Sequence, residues 1–246
     1  MPQKKETQKT PPLRYSVIIP AYNEALWLPQ TLQNLKEIMT AVNVPGEVIV
    51  VDNNSSDHTA EIARTHGARV VFEAENQISR ARNAGARIAS GEALIFLDAD
   101  TRIPEGLLRT ALKNLEDGAC GGGTTVTFDR PAGPFARMIL SAWNTVSLSF
   151  KLAAGSFIYC RRNAFEAAGG FSEKLYAAEE IRLSSDLKKW GKKHNRSFEM
   201  ITDYPVITSA RKLDKPFRTF LATLTCLFFP FLVYSKKLCW YWYKRD

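Results

Sequence analysis

Histidine and cysteine are scarce, with 3 His and 4 Cys among 246 residues. Cys120, Cys160, Cys226 and Cys239 show no ligand-like spacing and sit in mostly apolar contexts. That excludes a structural zinc site and predicts reduced packing residues in a cytosolic protein. His58, His66 and His194 are too scattered to suggest a ligand set. No Gly-Lys-Ser or Gly-Lys-Thr follows Gly121-Gly122-Gly123, so the run is not a P-loop. No G-x-G-x-x-G follows the first predicted strand, which counts against a dinucleotide-dependent oxidoreductase. Long apolar runs are missing too. Phe220 to Tyr234 carries no charge, yet it is only 15 residues long and Pro230 interrupts it. A spanning helix needs about 20 apolar residues. No apolar segment precedes Tyr15, so residues 1–13 read as a disordered polar arm and not as a signal peptide.

A hydrophobic content of 45% and a charged content of 24% are those of a globular protein large enough for one α/β domain. Net charge is +8. It gathers at Lys188, Lys189, Lys192, Lys193 and Arg196, then at Arg211, Lys212, Lys215 and Arg218, and again at Lys236, Lys237, Lys244 and Arg245. No zinc finger, helix-turn-helix or RNA-binding aromatic motif accompanies these clusters, which argues against nucleic acid as a partner. They flank the apolar tail, and Trp240 to Tyr243 suit the headgroup level of a bilayer. The expected partner is therefore an anionic membrane surface, with peripheral or monotopic attachment at its cytoplasmic face. A homodimer contact, or a helix closing the domain, is the other use such a tail has. The division expected is an arm over 1–13, a domain over 14–210 with halves meeting near 103–104, and a basic, apolar tail over 211–246.

Along the chain, strands alternate with helices. Tyr15 to Pro20, Glu47 to Asp52, Ala68 to Phe72 and the run from Leu94 read as strands. Leu26 to Met39, a segment ending at His66, and Ser79 to Ser90 read as helices between them. This pattern predicts an α/β fold, with a mostly parallel central sheet flanked by helices on both faces. Later come helices over Glu105 to Glu116, Phe135 to Leu152, Arg162 to Ala168 and Ala178 to Trp190. Strands are expected over Cys120 to Asp129 and Ala154 to Cys160, with extended pieces over Phe198 to Ile201 and Val206 to Ser209.

Leu94-Ile95-Phe96-Leu97-Asp98-Ala99-Asp100 reads as a buried strand ending in two carboxylates. Alternate residues share a face, so Asp98 and Asp100 would stand about 6.6 Å apart. In open α/β sheets ligands lie beyond the carboxyl ends of strands. Paired oxygen ligands there suit Mg²⁺ or Mn²⁺ shared with a phosphate.

Several segments then stand in order: Ser16 to Glu24, Val50 to Asp57, Ala81-Arg82-Asn83-Ala84-Gly85, Phe96 to Thr101, Gly169-Gly170-Phe171 and Glu179-Glu180. Together they resemble the inverting glycosyltransferases of family 2, which have a GT-A fold. The resemblance implies metal-dependent transfer of a sugar from a nucleoside-diphosphate donor, of UDP or GDP type, to an acceptor hydroxyl. The basic flank and the tail suggest a lipid-linked acceptor. Carried over residue by residue, the donor would meet Pro20, Tyr22, Glu24, Asp52, Asn53, Arg82, Asp98 and Arg211. Asp100, with Asp98, would hold the Mg²⁺ or Mn²⁺. Glu180 or its neighbour Glu179 would be the catalytic base, kept anionic by the N-terminus of its helix. Gly155-Ser156 and Gly169-Gly170-Phe171 would shape the acceptor side. Two other readings compete. A sugar-phosphate nucleotidyltransferase would want a Gly-rich, basic loop after the first strand, and Ala21-Tyr22-Asn23-Glu24 is not one. A non-catalytic sugar-nucleotide-binding or membrane scaffold would have no use for Asp98, Asp100 and Glu180 together.

Overall fold

A computed structural model describes residues 14–211 together with Tyr234 and Ser235. Expectations for the N-terminal arm, and nearly all of those for the apolar tail, fall outside the described residues. Among the described residues no helix is long and apolar enough to cross a membrane.

The first half follows the alternation read from the sequence. β1 (Tyr15–Ala21), β2 (Gly46–Asp52), β3 (Arg69–Phe72) and β4 (Ala93–Leu97) pair in parallel in the order β3-β2-β1-β4. Between them run the crossover helices α1 (Leu28–Val42), α2 (Thr59–Thr65) and α3 (Ile78–Ile88). Strand residues alternate between two cores. Val17, Ile19, Ile95 and Leu97 pack on one side of the sheet, Ile18, Leu94 and Phe96 on the other. Burial on both faces explains the continuous apolar runs.

The second half turns the sheet antiparallel. It comprises β5 (Thr101–Arg102), α4 (Glu105–Glu116), β6 (Gly121–Phe128), α5 (Pro134–Phe150), β7 (Phe157–Arg161), α6 (Arg162–Ala167), α7 (Glu179–Lys193) and β8 (Phe198–Thr208). β7 lies antiparallel to both β4 and β6, β6 pairs in parallel with β8, and β5 closes the edge against β8. The full sheet has 8 strands in the order β3-β2-β1-β4-β7-β6-β8-β5.

Three sequence expectations need correction. The strand expected from Ala154 begins only at Phe157, because the carbonyls of Gly155 and Ser156 accept from Arg82 and from the Asp98 amide instead. The two late extended pieces are one strand, β8, whose pairing with β6 shifts register between Thr124 and Val126. β5 has just 2 residues, too short to leave a periodic signal.

The triple glycine proves to be a packing device. A Cβ on Gly122 would lie 1.8 Å from the Glu199 carbonyl oxygen and 2.5 Å from the Tyr159 hydroxyl. That hydroxyl donates to the same carbonyl, at 2.8 Å. Gly122→Ala must therefore move β8 or break this contact. We expect it to cost about 1–3 kcal/mol, as overpacking does, read as a lower denaturation midpoint with the slope unchanged.

Candidate active site

β1 is the topological switch point. Its crossover leads to β2 on one side while β4 flanks it on the other, so a crevice opens beyond their carboxyl ends. Pro20 enters it from the end of strand β1 and Glu24 from the loop that follows, and Asp98 and Asp100 enter it after β4. The second half adds Gly155 and Ser156 before β7, Tyr176 to Glu180 at the start of α7, and Ser209 and Arg211 after β8. Together these residues line one cleft of about 390 Å³.

β4 ends at Leu97, so Asp98 and Asp100 stand on a tight turn and not on the strand as expected. The turn is held from three directions. The Asp98 amide donates to Ser156 O at 3.4 Å, Thr31 Oγ1 donates to Ala99 O at 2.8 Å, and the Ser209 amide donates to Asp100 O at 3.1 Å. Both residues line the cleft from that turn.

Arg82, on α3, is 1% exposed and is the deepest charge of the site. Its Nη1 donates to Glu179 at 2.8 Å, and its Nη2 to Asp98 at 3.0 Å and to Gly155 O at 2.8 Å. The Phe171 ring lies 5.0 Å from the guanidinium carbon. The resemblance assigns Arg82 to the sugar-nucleotide donor; in the structure its Nη groups engage protein acceptors. Losing one partner of such a buried pair typically costs about 3–5 kcal/mol.

α7 begins on a strained residue. Ala178 has φ 61°, a left-handed conformation that costs a non-glycine residue about 1–2 kcal/mol. The bend places Glu179 against Arg82 and leaves Glu180 on the cleft wall. The helix terminus was expected to keep Glu180 anionic. Burial outweighs it: desolvation first, then the charge of Glu179, push the Glu180 carboxyl up to about 8 against the opposing pull of Arg82.

A second guanidinium closes the opposite side. Arg211 forks onto Glu24 through bonds of 2.7 and 2.8 Å, and its Nη2 lies 2.9 Å from Asp100. Its Nε is buried without a hydrogen-bond partner, as is that of Arg82. The Glu24 amide in turn donates to Thr59 Oγ1 at 2.8 Å, which ties the loop after β1 to α2.

The remaining expected residues divide. Asp52 ends β2 and accepts the amide of Ser55, three residues on, at 3.0 Å, which holds the turn after the strand. Asn53 donates to Glu73 O and Glu75 O and accepts the Gln77 amide, so its side chain fixes the loop ahead of α3. Tyr22 is half-buried on the loop after β1. None of the three lines the cleft itself. Gly155 and Ser156 do line it, but the glycine pair expected on the acceptor side does not: Gly169 and Gly170 border a separate cavity beside α6, and Phe171 is core. Sequence reasoning missed the wall opposite, where α5 contributes Ala136, Ile139, Leu140 and Trp143. Its signal was there, since no acidic residue occurs between Asp129 and Glu166.

Among the described residues no group of three or more His, Cys, Asp or Glu side chains is placed to hold a metal ion. Asp98 and Asp100 offer hard carboxylate oxygens, the donors Mg²⁺ and Mn²⁺ prefer. They fit a cation held jointly with the phosphates of a ligand, and do not fit a closed protein cage.

Residues 16–167 match the family model described as glycosyl transferase family 2. Glycosyltransferase AglE of Haloferax volcanii is 28% identical over 82% of this chain and 70% of its own. The mannosyltransferase PcManGT of Pyrobaculum calidifontis, solved with GDP-Man and Mn²⁺, superposes with a TM-score of 0.62 at 24% identity, over 84% of this chain and 61% of that one. This chain thus spans less than two thirds of that enzyme's length. Glucosyl-3-phosphoglycerate synthase of Mycobacterium tuberculosis, solved with Mn²⁺, UDP and glucosyl-3-phosphoglycerate, superposes at 0.60 with 20% identity, over 87% of this chain and 79% of that one. The curled α/β sheet and the matched family model agree with the cleft just described, and the chain belongs to glycosyl transferase family 2.

Proposed function

We propose that the protein transfers a sugar from a nucleoside-diphosphate donor of UDP or GDP type to an acceptor hydroxyl, with inversion. One observation carries the reading: Asp98, Asp100 and Glu180, contributed by the two halves of the chain, line the same cleft. The donor's nucleoside would lie beside the cleft, toward Tyr22 on the loop after β1 and toward Asp52 and Asn53 at the carboxyl end of β2, where Asp52 is the acid nearest to hand for the base or ribose. Pro20, Glu24 and Asp98 flank the path from there to the diphosphate. Asp98 and Asp100 would hold Mg²⁺ or Mn²⁺ with the phosphates, and the cation would neutralise charge on the departing diphosphate. The buried guanidinium edge of Arg211 is the protein's own cation at the same place, and Arg82 holds Asp98 in position from below.

Glu180 is the better candidate for the base, because Glu179 is engaged by Arg82. In the transfer, Glu180 takes the proton of the acceptor hydroxyl as that oxygen bonds to the anomeric carbon. The bond to the leaving phosphate oxygen breaks, and its electron pair departs with the diphosphate. Attack from the face opposite the leaving group inverts the centre. The apolar wall of Ile139, Leu140 and Trp143 supports an acceptor with a lipid portion.

A base acts as the carboxylate, so a carboxyl raised to about 8 is mostly protonated at neutral pH. The expected kcat/KM therefore climbs with pH and levels off above about 8. Glu180→Gln should retain donor affinity while losing transfer by ~10²-fold or more, together with that limb of the pH profile. A fully active variant would move the base elsewhere. Asp100→Ala should abolish the Mn²⁺-dependent part of UDP or GDP binding in calorimetry, and binding that responds to Mn²⁺ as before would refute its role.

A further inference from the structure

The wall of the cleft built by α5 continues onto a surface that nothing above uses. Ala136, Leu140 and Trp143 face inward, while Phe135, Met138, Val146 and Phe150 are exposed at 45%, 60%, 42% and 65%. Spacings of 3, 8 and 4 residues place these four side chains on one stripe along the helix. Ile139, at the edge of that stripe, lines the cleft. The helix thus carries apolar side chains both on the cleft wall and on the outside of the domain. Helices of a soluble domain ordinarily present charge there.

The charged residues of the segment that carries the stripe are all basic, although Lys151 pairs with Glu199 of β8 at 3.5 Å. Arg137 is the single charged residue of α5. Arg130 precedes the helix and Lys151 follows it, and from Arg130 to Phe165 there is no Asp or Glu. Lys188 of α7 donates to the Phe150 carbonyl at 2.7 Å, which brings the basic face of α7 to the end of the stripe. Exposed aromatic and aliphatic side chains with basic residues at both ends match an anionic bilayer, whose interface takes up the apolar groups while its headgroups meet the cations.

We infer that α5 is a membrane-docking helix, whose outer face seats on an anionic lipid surface and sets the cleft mouth at the headgroup layer. Docking deepens the transfer reading, because a lipid-borne hydroxyl would enter along Ile139 and Trp143. Vesicle binding needs no turnover, so its outcome and that of the transfer reading are separable.

The full chain is sedimented with vesicles of phosphatidylcholine with and without phosphatidylglycerol. Met138→Glu is compared with Phe72→Glu, which puts the same charge on an exposed apolar site of the edge strand β3. The wild type should bind the anionic vesicles selectively. Met138→Glu should weaken binding roughly tenfold, and Val146→Glu should repeat the loss. Phe72→Glu, remote from the surface and screened, should stay within about twofold. Retained thermal stabilisation by UDP or GDP with Mn²⁺ would show each variant folded. Vesicle binding that is absent, or that ignores both α5 substitutions because other segments carry it, overturns the inference. So does a wild-type dimer that Met138→Glu converts to monomer with vesicle binding unchanged, since the stripe would then be an interface between copies.

Discussion

A guanidinium that water cannot reach joins the two halves of this molecule. Arg82 comes from α3, in the parallel half, and binds Asp98 at the end of β4, also in that half. Its other arm holds Glu179, at the start of α7 in the antiparallel half. A buried arginine is tolerable only where acceptors surround it, and this one has two carboxylates and a carbonyl. The requirement runs both ways. The turn after β4, the Gly155 carbonyl and the strained entry to α7 must all stand where the fork can reach them. Arg82 thus adds a side-chain clamp across the cleft to the β4–β7 pairing that joins the two halves of the sheet.

That arrangement also explains which parts of the molecule were readable in advance. Burial on both faces writes a strand into the sequence as an apolar run, so β1, β2 and β4 were plain, and the amphipathic spacing of α1 and α4 placed their ends within a few residues. A turn writes nothing periodic. Asp98 and Asp100 were recognisable as a pair, but their geometry depends on Thr31, Ser156 and Ser209, three residues scattered along the chain and brought together only by folding. Arg82 was legible as a member of the site and illegible in its role, because a sequence does not say whether an arginine faces a phosphate or a protein carboxylate. Asn53 shows the same limit, since one amide meets three backbone groups of a loop 20 to 24 residues away. The α5 wall was missed for a different reason. Its apolar residues point both inward and outward, and a helix apolar on two faces has no single stripe to find.

The titration of Glu180 follows from the same crowding. A lone carboxylate at a helix N-terminus would be held ionised, which was the expectation for this position. Here the helix begins against a protein interior, with a second carboxylate as the immediate neighbour. Desolvation acts on the charged form alone, and a like charge acts in the same direction. Arg82 opposes both, but its two arms already serve Asp98 and Glu179, so Glu180 feels it at second hand.

Charge in the cleft gives an independent reason to expect a divalent cation there. Among the described residues, Glu24, Asp98, Asp100, Glu179 and Glu180 line it, and the opposing groups on its wall are Arg82 and Arg211. Five carboxylates face two guanidiniums in a protein that carries +8 overall. Protonation of Glu180 removes part of the excess and leaves the rest. A diphosphate entering such a space meets like charge; no described lysine lines the cleft, and charges farther off than about 10 Å are screened at ordinary ionic strength. Arg211 can turn its buried edge toward the phosphates only by loosening its hold on Glu24 or Asp100, which uncovers as much negative charge as it covers. A cation brought in with the donor has no such cost. The acids that make the cleft hostile to a bare nucleotide are, on this argument, the same feature that makes it receptive to a nucleotide carrying its metal.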